Sequence, residues 1–142
     1  MRLLFVCMKN VARSQIAEAS FPDPVHEVMS AGINPGTLEG KTISEIGAFY
    51  VIACMSKLGY NIGRNRIKKL KPRWVEKADR IVVMAQREYW PDYLKAAESK
   101  IVSWNIPDPK DASLRKYVKV RNMILGNNKA LASDLKVNLY YS

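Results

Sequence analysis

Histidine and cysteine are scarce in this chain: 142 residues carry one histidine, His26, and two cysteines, Cys7 and Cys54. Two thiols and one imidazole make a poor zinc site. The cysteines stand far apart in a chain long enough to bury a core without staples, so we read them as reduced thiols rather than a disulfide framework. Carboxylates are also short: 13 acidic residues against 23 basic ones leave a net charge of +10. That surplus disfavours cationic partners and favours phosphoesters, phosphoproteins or acidic surfaces. No apolar run is long enough for a membrane span. The first six residues resemble the opening of a signal peptide, but Lys9, Asn10 and Arg13 interrupt the pattern too early. We therefore expect a soluble, cytoplasmic protein with no membrane partner, and residues 1–142 as a single domain.

What is present is a regular alternation. Arg2–Val6 is a short apolar run that reads as a buried strand, followed by a polar loop, Cys7–Arg13. Ser14 is placed to cap a helix over Gln15–Ala19, which Phe21-Pro22-Asp23-Pro24 ends. A second strand is expected over Val25–Ser30, with His26 at its start as a surface residue. Helix spacing runs from Ser44 to Leu58 and stops at Gly59. Cys54 falls mid-helix among apolar neighbours and reads as a core residue. A third strand follows over Arg80–Met84, a helix over Arg87–Ser99 that Pro91 disturbs, and a fourth strand over Lys100–Trp104. Asn105–Pro109 must be loop, and a long final helix is expected from Asp111 to about Val137, weakened at Gly126-Asn127-Asn128. Strands alternating with helices predict an α/β fold of three layers: a four-stranded parallel sheet with helices on both faces. In such a sheet the strand C-termini share one edge, so Cys7–Arg13 and Ile106–Asp111 should meet in one crevice.

Those two loops hold the chemistry. A cysteine, five residues, an arginine and a hydroxyl can wrap a tetrahedral oxyanion, with backbone N–H groups and a helix N-terminus aimed at it. Arg13 can fork onto two oxygens, and the same field favours a Cys7 thiolate, to which Ser14 could donate. Asp108, held between Pro107 and Pro109, suits a general acid that protonates a leaving oxygen and then activates water.

This set of residues resembles the low-molecular-weight protein tyrosine phosphatases, a family that also contains thioredoxin-type arsenate reductases. The resemblance rests on Leu4-Phe5-Val6-Cys7 with Asn10, on Arg13-Ser14-Gln15-Ile16-Ala17-Glu18-Ala19, and on Ser30-Ala31-Gly32. Leu58–Ile62, Ala78–Met84 and Asp108-Pro109 follow in the same order. It implies Cys7 as nucleophile, Arg13 as oxyanion clamp and Asp108 as general acid, with no metal and no organic cofactor. Asn10 would order the loop and Ser14 would stabilise the thiolate. Met8, Lys9, Asn10, Val11, Ala12 and Ser14 would make up the substrate-binding loop. The implied activity is hydrolysis of phosphotyrosine or another aryl phosphate through a phosphocysteine, on a phosphorylated protein or a small ester. The chain also departs from the family pattern. Ala12 stands where many members have a second loop cysteine, and Lys9 where glycine is common. Lys110-Asp111 replaces a pair of tyrosines after Asp-Pro. Arg64 falls near a place where many relatives have a histidine, which puts a contact that supports the loop in question. Tyr89 and Trp90 are rim candidates, with packing the favoured role.

Two other readings stay open. Phosphate and arsenate share a shape, so an arsenate reductase using a small external thiol would need only Cys7. A thioredoxin-coupled reductase needs further cysteines after the third strand, and Met84–Glu88 has none. The same loop could also serve a non-catalytic oxyanion- or phosphoprotein-binding module. A nucleic-acid partner is disfavoured despite the basic stretch Arg64–Arg80, which lacks the interleaved aromatics of single-strand binders.

Overall fold

The computed structural model describes residues 1–110 and 113–141. Four parallel strands, β1 (Arg2–Cys7), β2 (Glu27–Gly32), β3 (Arg80–Val83) and β4 (Ile101–Ser103), form one sheet in the order β2-β1-β3-β4. β1 lies in the middle because both its faces are apolar. Leu3, Phe5 and Cys7 join a core with α1 (Arg13–Ser20), α2 (Phe49–Ser56) and α5 (Leu114–Tyr141). Leu4 and Val6 join a second core with α3 (Pro72–Lys77) and α4 (Asp92–Lys95). Helices thus cover both faces, and the expected three-layer α/β fold is the one observed. Burying a side chain such as Phe5 or Ile16 contributes about 1.5–3 kcal/mol each, and both are 0% exposed.

Several boundaries differ from the sequence reading. β2 begins two residues late because Asp23 Oδ1 accepts from the Val25 N–H at 2.9 Å, folding 23–25 into an Asx turn. The shift brings Gly32 level with Cys7. His26 is not on the surface. Its side chain is 1% exposed, with Nδ1 2.8 Å from Asp23 Oδ2 and the ring edge-on to Phe21. The Val25 N–H holds the Asp23 carboxyl below its usual range, and His26 and Lys136 act the same way against desolvation.

The expected helix from Ser44 starts only at Phe49. Gly47 takes a left-handed φ of 71°, and the Ile43 and Ser44 amides are drawn off to the carbonyls of Asn65 and Gly63. The segment expected as one helix over Arg87–Ser99 breaks into a 3-10 turn at Arg87–Tyr89 and the single-turn α4, with Pro91 between them. Helix α5 runs without interruption through Gly126–Asn128; its expected first residue, Asp111, lies outside the described residues. Among the described residues no helix is long and apolar enough to cross a membrane.

Candidate active site

All four strands point the same way, so Cys7, Gly32, Val83 and Ser103 end at one edge. The chain leaves β1 toward β2 and leaves β3 toward β4. The diverging loops open a crevice between them, as at the switch point of other parallel sheets. A cleft of about 470 Å³ occupies that crevice, lined by Cys7, Met8, Lys9, Val11, Ala12 and Arg13 on one side and by Asp108 and Lys110 on another. The two loops singled out in the sequence do converge.

The loop owes its shape to Asn10, which is fully buried with a left-handed φ of 62°, a conformation that asparagine tolerates better than most residues. Its Oδ1 accepts from the Lys68 backbone N–H at 2.9 Å and from Gln15 Nε2 at 3.0 Å. A backbone N–H can only donate, so the amide orientation is determined. Nδ2 must then donate to Ser14 Oγ (2.7 Å) and Ser30 Oγ (2.9 Å). With its oxygen already accepting from Asn10, the Ser14 hydroxyl has its own proton free for Cys7 Sγ, 3.0 Å away. The Asn10 backbone N–H is a second donor to that sulfur, at 3.3 Å. Two donors converging on one sulfur fix its position at the floor of the loop.

Ser14 therefore does not cap α1. The helix begins after Ala12 with no side-chain cap, which leaves its first amides without a side-chain acceptor. Among the described residues no carbonyl accepts from the N–H groups of Lys9, Val11 and Ala12. Arg13 is anchored from behind: Nη1 donates to the carbonyls of Met84 (2.7 Å), just after β3, and Ile106 (3.1 Å), in the loop after β4. Nη2 is left toward the cleft, 3.9 Å from Asp108 Oδ2. The Asp108 side chain is 47% exposed, and its other oxygen accepts from the Lys110 N–H at 3.1 Å.

A family model described as low molecular weight phosphotyrosine protein phosphatase matches residues 2–140. The chain belongs to that family. As a low molecular weight phosphatase it is an enzyme of the protein-tyrosine-phosphatase type. Solved structures share the fold. The YwlE arginine phosphatase from Geobacillus stearothermophilus has a TM-score of 0.84 at 23% identity, over 99% of this chain and 96% of that one. Vibrio vulnificus Wzb in complex with benzylphosphonate gives 0.83 at 23%, over 94% and 97%. A low molecular weight protein tyrosine phosphatase from T. tengcongensis gives 0.76 at 26%, over 94% and 99%. No curated protein matches by sequence.

The residues named from the sequence divide into two groups in this low molecular weight phosphatase. Cys7, Met8, Lys9, Val11, Ala12, Arg13 and Asp108 line the cleft, whereas Asn10 and Ser14 lie buried behind it and do not line it. Arg64 is exposed, and the backbone N–H that supports Asn10 Oδ1 belongs to Lys68 instead. Neither Tyr89 nor Trp90 lines the cleft: Trp90 is buried with Nε1 bonded to the Ala85 carbonyl. The walls come instead from Leu38, Ile46, Gly47, Ala48 and Tyr117. No sequence signal marked them, since 44–48 reads as helix and Tyr117 as one more position of α5. Cys54 is fully buried, bonded within α2 to the Val51 carbonyl, and burial pushes its thiol up while Arg121 acts the other way.

Proposed function

We propose that the protein hydrolyses phosphomonoesters with aryl leaving groups, phosphotyrosine first among them, through a phosphocysteine intermediate in the cytoplasm. The observation that carries this reading is the Cys7 sulfur, held by two donors in a cleft that also contains the Arg13 fork and the Asp108 carboxyl. In the first step Cys7 attacks phosphorus in line, forming an S–P bond as the P–O bond to the leaving group breaks. The Lys9, Val11 and Ala12 amides and Arg13 hold the three equatorial oxygens. A bound phosphate takes Nη2 from Asp108, which delivers its proton to the leaving oxygen. In the second step Asp108 takes a proton from water, water attacks phosphorus, and the S–P bond breaks to release phosphate.

The cleft walls favour an aryl group. Val11, Ala12, Leu38, Ile46, Ala48 and Tyr117 offer apolar surface on which a phenyl ring can lie. Phosphoarginine, suggested by the likeness to the Geobacillus enzyme, would bring a guanidino group against the lysines Lys9 and Lys110 of the same cleft.

Hydrolysis of an aryl phosphate by the reduced, metal-free protein tests the reading. Cys7→Ser should reduce turnover to background while phosphate still binds. Asp108→Ala should slow turnover about 10²–10⁴-fold, most for poor leaving groups. Equal rates for wild type and Cys7→Ser would overturn it. A folded, reduced protein without turnover would point to arsenate reduction with an external thiol or to binding without catalysis.

A further inference from the structure

The basic stretch is joined through its backbone to the residues that support the reactive loop, although none of its side chains lines the cleft. Arg64–Lys71 holds five basic residues, Arg64, Arg66, Lys68, Lys69 and Lys71, and no acidic one. Its backbone is stitched to the reactive loop's support. The Lys68 carbonyl accepts from the Gly32 N–H and the Leu70 N–H donates to the Gly32 carbonyl, both at 2.8 Å, while the Lys68 N–H holds Asn10. Gly32 in turn packs against the backbone of Lys9. On its other side the segment pairs with the chain that leads into the cleft wall, Arg66 opposite Thr42 and the Ile67 N–H on the Lys41 carbonyl. Lys9, Arg64, Arg66 and Lys69 are exposed. Among the described residues none of the four pairs with a carboxylate, and only Arg66 is engaged, donating to the Gly40 carbonyl. Lys68 is the exception, 4.0 Å from Glu18. The nearest acids in sequence, Glu76 and Asp79 on one side and Glu45 and Glu39 on the other, do not line the cleft. At about 3.3 Å per residue, Arg66 to Lys69 spans about 10 Å, the length of three residues of extended peptide.

We propose that this strip selects the substrate by taking the acidic flank of a phosphorylated peptide whose phosphoresidue occupies the Cys7 cleft. The proposal rests on the phosphatase reading above and adds to it the class of protein substrate. Charge complementarity beside the site raises the encounter rate and lowers KM for such a peptide while leaving the chemical step alone. A nucleic acid fits less well. The strip offers no free aromatic platform, since Trp74 is half-buried with Lys71 stacked over it at 5.1 Å. The cleft beside it takes a terminal phosphate rather than a diester.

Two phosphotyrosine peptides, one flanked by glutamates and one by serines, test the proposal together with a small aryl phosphate. Wild type at low ionic strength should favour the acidic peptide about tenfold in kcat/KM, mainly through KM, and about 0.5 M salt should erase the preference. Arg64→Glu/Lys69→Glu should abolish or invert it while the aryl phosphate rate stays within about twofold. If the reversed pair misfolds, Arg64→Gln/Lys69→Gln must reduce the preference in the same direction. Equal rates for the two peptides in wild type overturn the proposal, as does a preference that survives both variants. A variant that loses RNA binding but keeps the peptide preference reassigns the strip to nucleic acid. Absence of aryl phosphate turnover removes the phosphatase reading and the proposal with it; turnover without peptide discrimination removes the strip's role alone.

Discussion

A Cβ built on Gly32 would lie 2.6 Å from the carbonyl carbon of Lys9 and 2.8 Å from the nitrogen of Asn10, both backbone atoms that cannot swing aside. Gly32→Ala should therefore push the reactive loop off β2 and disturb the Asn10 N–H that faces Cys7. We expect a loss of about 1–3 kcal/mol in urea unfolding and a fall of about 10²-fold in aryl phosphate kcat/KM, because small displacements of the attacking group are costly. An unchanged rate in a folded variant would show that the loop does not depend on this approach. The meeting of Cys7, Arg13 and Asp108 in one cleft was legible in the sequence because these residues stand out by type and by their flanking prolines or strand end. The function of Asn10 was legible only through resemblance. Its partners Gln15, Ser30 and the Lys68 backbone are scattered in sequence, and Ser14 read as a cap because hydroxyls commonly play that part.

Helix α5 shows how tertiary contacts override local preference. Gly126, Asn127 and Asn128 are poor helix formers, yet the helix continues through them for 28 residues. Asn128 is buried, its Nδ2 donating to the Ala17 carbonyl and Ser20 Oγ at the end of α1. Arg121 donates to the Cys54 carbonyl and so ties α5 to α2. Gly126 plays no such part. It is not buried, and a Cβ there would meet nothing within 4 Å. Gly126→Ala should stabilise the protein by about 0.5–1 kcal/mol, raising Tm by about 2–4 °C in a thermal melt. A lower Tm would mean that the backbone there is strained. At α2 and α4 the same logic runs in reverse. Residues 44–48 have helix spacing, but hydrogen bonds to 63–65 and the left-handed Gly47 pull them into a cleft wall.

Over the whole molecule a net charge of +10 on 142 residues means self-repulsion that counter-ions relieve. Raising sodium chloride from about 20 to 300 mM should increase Tm. Phosphate at equal ionic strength should increase it further, because it binds the folded cleft and not the unfolded chain. Arg13→Ala should remove the extra rise and leave the chloride part; an extra rise that survives would place the anion elsewhere. Apolar runs, turn residues and the Cys7–Arg13 spacing are local patterns, and they were enough to specify the α/β architecture and the loop at its edge. Everything else came from the folded arrangement. Which amide orients Ser14 toward the thiol, which carbonyls brace Arg13, which apolar side chains wall the cleft and that the basic stretch backs the Cys7–Arg13 loop all depend on pairings across tens of residues. Such pairings are set by packing between elements, and no short window of sequence records them.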